Sequence, residues 1–112
     1  MSRHKVVALV DDEPAILDVV QRAMRRRGDV IRVADTLAGG RALILESAEP
    51  FDCAIIDINL PDGDGLSLAN EVHARLPGLR VALITGGIDE PTGVFPVLHK
   101  PFTMTQFWEA IG

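Results

Sequence analysis

The chain has 112 residues, of which 47% are hydrophobic, and a formal net charge of −5. This length suits one small domain, and the apolar share predicts a packed globule rather than a disordered chain. The acidic balance argues against direct nucleic-acid binding, and no apolar run approaches the roughly 18–20 residues that a membrane-spanning helix requires.

Short apolar runs alternate with amphipathic segments along the chain. The first run, Lys5–Val10, predicts a buried strand; it becomes acidic at Asp11 without a signal-peptide cleavage site, so we expect a cytoplasmic protein. Pro14 then predicts the first turn of a helix that ends at Gly28, with Asp12 or Glu13 as its cap. Further strands are predicted over Val30–Ala34, Phe51–Ile56, Arg80–Ile84 and Val94–Leu98, and further helices over residues 38–45, Gly65–Leu76 and residues 104–111.

Strands that alternate with helices and are apolar throughout predict a parallel sheet covered on both faces. In such a sheet the functional crevice lies beyond the carboxyl ends of the strands. The polar residues that follow the strands are Asp11, Asp12 and Glu13, then Asp57, Thr85 and Lys100. Each alone could be a helix cap, a strand end or a solvated charge, but this architecture directs them all into one crevice.

Three carboxylates in one crevice, those of Asp11, Asp12 and Asp57, repel each other and raise one another's pKa. A divalent cation with oxygen ligands would offset that repulsion, and Lys100 would supply a second positive charge. Mg²⁺ fits best because it prefers one or two carboxylates, several waters and a phosphate oxygen. The histidines (His4, His73 and His99) are not placed to bind zinc, so we do not expect them to be metal ligands.

Taken together and in order, four motifs resemble the receiver domain of two-component response regulators. They are Val10-Asp11-Asp12-Glu13, Asp57-Ile58-Asn59-Leu60-Pro61 with Gly65, Thr85-Gly86, and Lys100-Pro101-Phe102. The resemblance runs from Lys5 to about Ile111, which predicts a single receiver domain over residues 1–112. It implies a flavodoxin-like (CheY-like) α/β fold, a doubly wound five-stranded parallel sheet with strand order 2-1-3-4-5.

The resemblance also implies a role for each site residue. Asp57 would be the phosphoacceptor, and Lys100 would pair first with Asp57 and then with a phosphoryl oxygen, while the Thr85 hydroxyl bonds another. The implied Mg²⁺ ligands are Asp12 and Asp57 through their side chains, Asn59 through its backbone carbonyl and Asp11 through a bound water. The family's cis Lys-Pro bond is expected at Lys100-Pro101.

The implied function is that of a phosphorelay switch rather than an enzyme, although the domain would assist its own phosphoryl transfer and hydrolysis. The donor would be a phosphohistidine on a sensor histidine kinase or a histidine phosphotransfer protein. The phosphorylated domain would change its binding to a downstream protein target, with no direct nucleic-acid contact and no membrane insertion.

Two features depart from the usual receiver pattern. Residues 86–93 are too few, and too rich in glycine and proline, for a helix of the ordinary length of about 11–12 residues, so we expect the fourth helix to be short or missing. Val97 stands three residues before Lys100, where receivers usually carry Tyr or Phe, and the nearby Phe95 is not equivalent. A short connection of this kind resembles those of receivers attached to hybrid sensor kinases and of small single-domain regulators.

Three other functions remain open at this point. A receiver-like adaptor could bind partners without phosphorylation, although the acidic residues and the lysine are all present. A flavodoxin-like cofactor binder would need a phosphate loop where Asp11-Asp12-Glu13 stands. A Mg²⁺-dependent phosphatase with an aspartate nucleophile would place that aspartate after the first strand and would need a cap domain.

Overall fold

The fold is given by a computed structural model, which describes residues 4–87 and 95–112. The strands are β1 (Val6–Val10), β2 (Val30–Ala34), β3 (Cys53–Asp57), β4 (Asn59–Leu60), β5 (Gly63–Asp64), β6 (Arg80–Thr85) and β7 (Val97–His99). The α-helices are α1 (Pro14–Arg26), α2 (Leu37–Arg41), α3 (Gly65–Arg75) and α4 (Met104–Ile111), and a π-helical segment, Ala42–Glu46, continues α2. In the described part of the chain, no helix has the length and apolarity needed to cross a bilayer.

Five parallel strands form the main sheet in the order β2-β1-β3-β6-β7. Renumbered without the small β4–β5 hairpin, this is the predicted order 2-1-3-4-5, so the predicted fold class is confirmed. The expectation of a short or missing fourth helix concerns the connection between β6 and β7. Residues 88–94 of that connection, including the predicted strand residue Val94, lie outside the described residues.

Several predicted boundaries were wrong by one to three residues, the largest difference being at β7, which begins at Val97 rather than Val94. Strand β3 begins at Cys53 rather than Phe51, because its ladder with β1 starts at the Val7–Cys53 pair. It includes Asp57, which pairs with Ile84, and β6 likewise continues through Thr85. Helix α3 ends at Arg75 rather than Leu76, because Leu76 leaves the helical conformation (φ −129°, ψ 70°) ahead of Pro77.

The sheet separates two apolar clusters because successive strand side chains point to opposite faces. In β1, Val7 and Leu9 belong to one cluster and Ala8 and Val10 to the other. Helices α1 and α4 supply the first cluster with side chains such as Met24 and Phe107, while the π-helical segment and α3 supply the second. The strands are therefore covered on both faces and give their carboxyl ends a rigid support.

Helix α2 is anchored by a carboxylate from the β4–β5 turn. The Asp62 side chain accepts hydrogen bonds from Leu37 N at 2.6 Å and from Ala38 N at 3.0 Å. Thr36, the N-terminal cap residue, accepts another from Gly39 N at 2.9 Å. The first three amides of the helix thus have hydrogen-bond acceptors, and the β4–β5 turn supplies the acceptor for two of them.

We expect Asp62→Ala to lower the midpoint of thermal unfolding by about 5 °C at pH 7, because the helix loses two capping bonds. The bonds from Ala38 and Leu37 hold the pKa of Asp62 below its ordinary value. A carboxyl with a lowered folded-state pKa stabilises the fold above its ordinary pKa and loses that effect as the pH falls through the folded-state value. The gap between variant and wild type should therefore shrink below about pH 4.

Thermal unfolding followed by circular dichroism between pH 7 and pH 3 measures this gap. Asp18→Ala is the matched control, since Asp18 is an exposed carboxylate whose ion pair is with Arg22 four residues along α1. Equal losses in the two variants, or a gap that does not change with pH, would show that Asp62 does not cap α2.

Candidate functional site

The predicted site residues converge at the carboxyl edge of the sheet. Asp11 follows β1, Asp57 and Thr85 end β3 and β6, and Lys100 follows β7. The Lys100 ammonium (Nζ) lies 2.8 Å from Asp57 Oδ2 and 3.3 Å from Asp11 Oδ2. The structure therefore brings three separate chain segments to one point, as the alternation of strands and helices predicted.

The Asp57 carboxylate is held from two sides. Asp57 is 2% exposed. Its Oδ1 accepts a hydrogen bond from Asn59 N at 2.9 Å, and its Oδ2 accepts one from Lys100 Nζ at 2.8 Å. The Ile58 amide donates to Ile84 O at 2.9 Å, which ties the residue after Asp57 to β6. A fixed backbone thus aims the carboxylate out of the strand end.

Asp11, Asp12 and Asp57 form a cluster with oxygen ligand atoms within 4.8 Å of one another. Asp11 Oδ2 is buried and has no hydrogen-bond donor among the described residues, its neighbour being the Lys100 ammonium at ion-pair distance. An all-oxygen, anionic donor set with a buried oxygen left over fits a hard divalent cation such as Mg²⁺ or Ca²⁺. The carbonyl of Asn59, an exposed residue whose amide holds Asp57, stays a predicted ligand.

Burial is the largest influence on Asp11 and raises the pKa of its carboxyl, and the charge of Asp57 raises it further. The hydrogen bond that Asp11 Oδ1 accepts from Glu13 N at 2.8 Å, together with the Lys100 ammonium, acts in the opposite direction. The net rise means that the Asp11 carboxyl holds a proton more readily than a free aspartate would.

Lys100 is held as a cation. Burial is the largest influence on its pKa and acts to lower it, but hydrogen bonds to Asp57 and Glu13 and the charges of Asp11 and Asp57 outweigh burial and raise the pKa. The backbone fixes the residue as well, because Lys100 N donates to Thr85 O at 2.8 Å. The Lys100-Pro101 peptide bond is cis, which confirms the expectation drawn from the sequence.

The Thr85 hydroxyl lies at the same edge but is engaged by its own loop. Thr85 is buried, and its Oγ1 accepts a hydrogen bond from Gly87 N at 3.1 Å. This bond is local to the segment that directly follows β6. A bond from Thr85 to a phosphoryl oxygen stays a prediction.

The sequence predicted Glu13 at this edge of the sheet but did not predict its contact with Lys100. Lys100 Nζ donates to Glu13 Oε1 at 2.6 Å, the shortest of its carboxylate contacts. The available signal was position, since Glu13 directly follows the two aspartates and begins α1 at the same edge. Its reach to Lys100 depends on a side-chain conformation that spacing does not reveal.

The position three residues before Lys100 carries no aromatic ring. Val97 is half-buried and packs against the apolar cluster that includes α3. The Phe95 ring packs against the same cluster and meets the His73 ring edge-on, with 5.5 Å between centroids. Phe95 and Val97 are thus separate parts of one apolar surface, and His73 has a packing role there.

Comparison with known proteins places this site in a family. Residues 7–112 match the family model described as the response regulator receiver domain. The chain is 37% identical to the photosynthetic apparatus regulatory protein RegA of Rhodobacter capsulatus, over 77% of the chain and 46% of RegA. It is 35% identical to the response regulator protein PilR of Pseudomonas aeruginosa, over 99% of the chain and 26% of PilR. The chain thus spans less than half the length of these relatives.

Solved receiver structures share the fold. A CheY-like response regulator receiver domain from Methanospirillum hungatei superposes with a TM-score of 0.86 at 29% identity, covering 97% of this chain and 91% of that one. A response regulator from Burkholderia pseudomallei gives a TM-score of 0.84 at 25% identity, covering 96% and 66%. That second structure contains a phosphorylated aspartic acid, a calcium ion and citrate.

Proposed function

Because the chain belongs to the response regulator receiver domain family, we propose that it is a phosphoacceptor switch of a two-component phosphorelay. Asp57 would accept the phosphoryl group in a Mg²⁺-dependent reaction. The observation that carries this proposal is the buried Asp57 carboxylate, which lies 2.8 Å from a Lys100 ammonium and within 4.8 Å of two further carboxylates. A fixed oxygen nucleophile beside a cation, with carboxylates that could hold a divalent metal, is the arrangement that phosphoryl transfer needs.

In the proposed step, an Asp57 oxygen forms a bond to the phosphorus of a phosphohistidine as the phosphorus–nitrogen bond breaks and the imidazole leaves. A carboxylate is a weak nucleophile, so position and charge must carry the catalysis. The bonds from Asn59 N and Lys100 Nζ set the orientation of the carboxylate. A bound Mg²⁺, held by Asp11 through water, by Asp12 and Asp57 and by the Asn59 carbonyl, would supply charge neutralisation for the phosphoryl oxygens.

The phosphorylated state would be read through the loop that follows β6. A phosphoryl group adds about −1.5 to −2 charges and three acceptor oxygens. Lys100 would donate to one oxygen, and the Thr85 hydroxyl would exchange its local role for another. The resulting shift of the Thr85–Gly87 segment would bias the surface that a partner recognises. Since Val97 stands where receivers usually carry Tyr or Phe, the shift would proceed without an aromatic side chain at that position.

The proposed partners are a sensor histidine kinase or a histidine phosphotransfer protein as donor and a downstream protein as target. We place this exchange in the cytoplasm and assign it to a single domain over residues 1–112. The aspartyl phosphate would hydrolyse within the same site and reset the switch. The chain would therefore be a substrate that assists its own phosphorylation and dephosphorylation.

Incubation with acetyl phosphate and Mg²⁺, followed by intact mass spectrometry, tests this function. We expect the gain of one phosphoryl group, no gain when EDTA removes the metal, and loss of the group in hydroxylamine, which cleaves acyl phosphates. The metal dependence follows because three carboxylates would otherwise repel the phosphodonor. No gain in the presence of Mg²⁺ would contradict the proposal and favour a phosphorylation-independent adaptor.

A further inference from the structure

Lys100 has three carboxylate partners, and they are not alike. Asp11 and Asp57 are buried, whereas the Glu13 side chain is 54% exposed and still makes the shortest contact, at 2.6 Å. An ammonium group has three donor hydrogens, and Lys100 Nζ donates to all three carboxylates, to Asp11 through its Oδ1 at 3.4 Å. Glu13 thus holds the ammonium from the solvent side while the other two hold it from within.

The Glu13 carboxylate has no other structural task among the described residues. Glu13 is the N-terminal cap residue of α1, but its side chain makes no capping hydrogen bond there. Its amide is bonded to Asp11 Oδ1 at 2.8 Å, which fixes the backbone from which the side chain reaches towards Lys100. The side chain is therefore placed for the lysine rather than for the helix.

We propose that Glu13 is a positioning residue that anchors the Lys100 ammonium while Lys100 exchanges the Asp57 carboxylate for a phosphoryl oxygen. This role rests on the proposed phosphoacceptor function. During the exchange, an Asp57 oxygen becomes bonded to phosphorus and the contact of Lys100 with the Asp57 carboxylate is replaced. Glu13 does not react, and its exposed side chain can keep the same hydrogen bond before and after transfer.

Loss of this anchor would have a defined consequence. Without Glu13, the ammonium would pair only with the buried Asp11 and Asp57, where charge interactions are less screened than at the surface. Tighter pairing stabilises the resting Asp57 carboxylate and must be broken before a phosphoryl oxygen takes its place. The maximal rate of phosphorylation should therefore fall, although the nucleophile and the metal ligands are unchanged.

Two substitutions separate anchoring from simple charge. Glu13→Gln keeps an oxygen that can accept the Lys100 hydrogen bond, whereas Glu13→Ala removes it, and both remove one negative charge that faces an anionic donor. With acetyl phosphate and Mg²⁺, Glu13→Ala should lower the maximal rate about three- to fivefold, while Glu13→Gln stays near wild type. Both should lower the half-saturating donor concentration to a similar extent. Glu109→Ala controls for net charge. Glu109 lines a groove together with Arg80, which begins β6 at the end away from the carboxylate site.

A readout independent of phosphorylation is the ¹⁵N-detected ammonium signal of Lys100, assigned by its absence in Lys100→Arg. The signal should be observable in wild type and Glu13→Gln, because three acceptors hold the ammonium group. In Glu13→Ala it should be broadened by proton exchange. Thermal unfolding should be the same in all three proteins, because no cap is lost. Equal maximal rates in wild type and Glu13→Ala would overturn the role of Glu13, as would equal losses of rate in Glu13→Ala and Glu13→Gln. Either result would leave the proposed phosphoacceptor function standing. A wild-type protein that gains no phosphoryl group would overturn the proposed function itself.

Discussion

Asp57→Asn should abolish phosphoryl gain from acetyl phosphate, with a rate reduced at least about a hundredfold and below detection by intact mass spectrometry. An amide of nearly the same shape replaces the carboxylate, but it offers no anionic oxygen to attack phosphorus. Folding should survive, because Asp57 is one of three like charges within 4.8 Å and its removal relieves their repulsion. Circular dichroism should show a folded protein whose free energy of unfolding lies within about 1 kcal/mol of wild type.

Asp35→Asn is the matched control for this experiment. Asp35 directly follows β2 at the same edge of the sheet and is exposed, but it is not part of the carboxylate cluster. This variant should take up the phosphoryl group at the wild-type rate. A hydroxylamine-sensitive phosphoryl group on folded Asp57→Asn protein would count against Asp57 as the acceptor, and Asp11 and Asp12 would become the carboxylates to test next.

The convergence of the site could be predicted from the sequence because it depends on topology alone. Continuously apolar strands that alternate with helices make a parallel sheet, and parallel strands bring their carboxyl ends to one edge. Asp11, Asp57 and Lys100 each lie at such an end, so their meeting required no knowledge of side-chain conformations. The strand order came from the family resemblance, and the structure confirms it.

The features that could not be predicted depend on local backbone geometry or on contacts between distant segments. The β4–β5 hairpin has only two residues in each strand, too short for any alternation pattern to show. The π-helical segment that follows Gly39-Gly40 carries the apolar spacing of an ordinary helix. The contacts of Asp62 with α2 and of Glu13 with Lys100 depend on side-chain conformations, which residue spacing does not reveal.

Gly65→Ala should be among the most damaging single substitutions in the chain. A methyl group on Gly65 would overlap the backbone carbonyl of Asp57, an atom of the β3 strand that no side-chain rotation can move aside. The two segments are also tied together, since Gly65 N donates to Ile58 O at 2.7 Å. We expect the free energy of unfolding to fall by about 3 kcal/mol or more, measured by urea denaturation.

The same substitution should also impair the proposed chemistry in the molecules that remain folded. Relief of the overlap must shift either α3 or the end of β3, and a displacement of about 1 Å at a reacting group can cost on the order of a hundredfold in rate. Gly78→Ala provides the comparison, because nothing lies within 4 Å of a methyl group placed there. The free energy of unfolding of that variant should lie within about 0.5 kcal/mol of wild type, and it should gain the phosphoryl group at the wild-type rate. If Gly65→Ala matched it in both measurements, α3 would not pack against the strand end as closely as described, and the support of Asp57 would have to be sought in β6 alone.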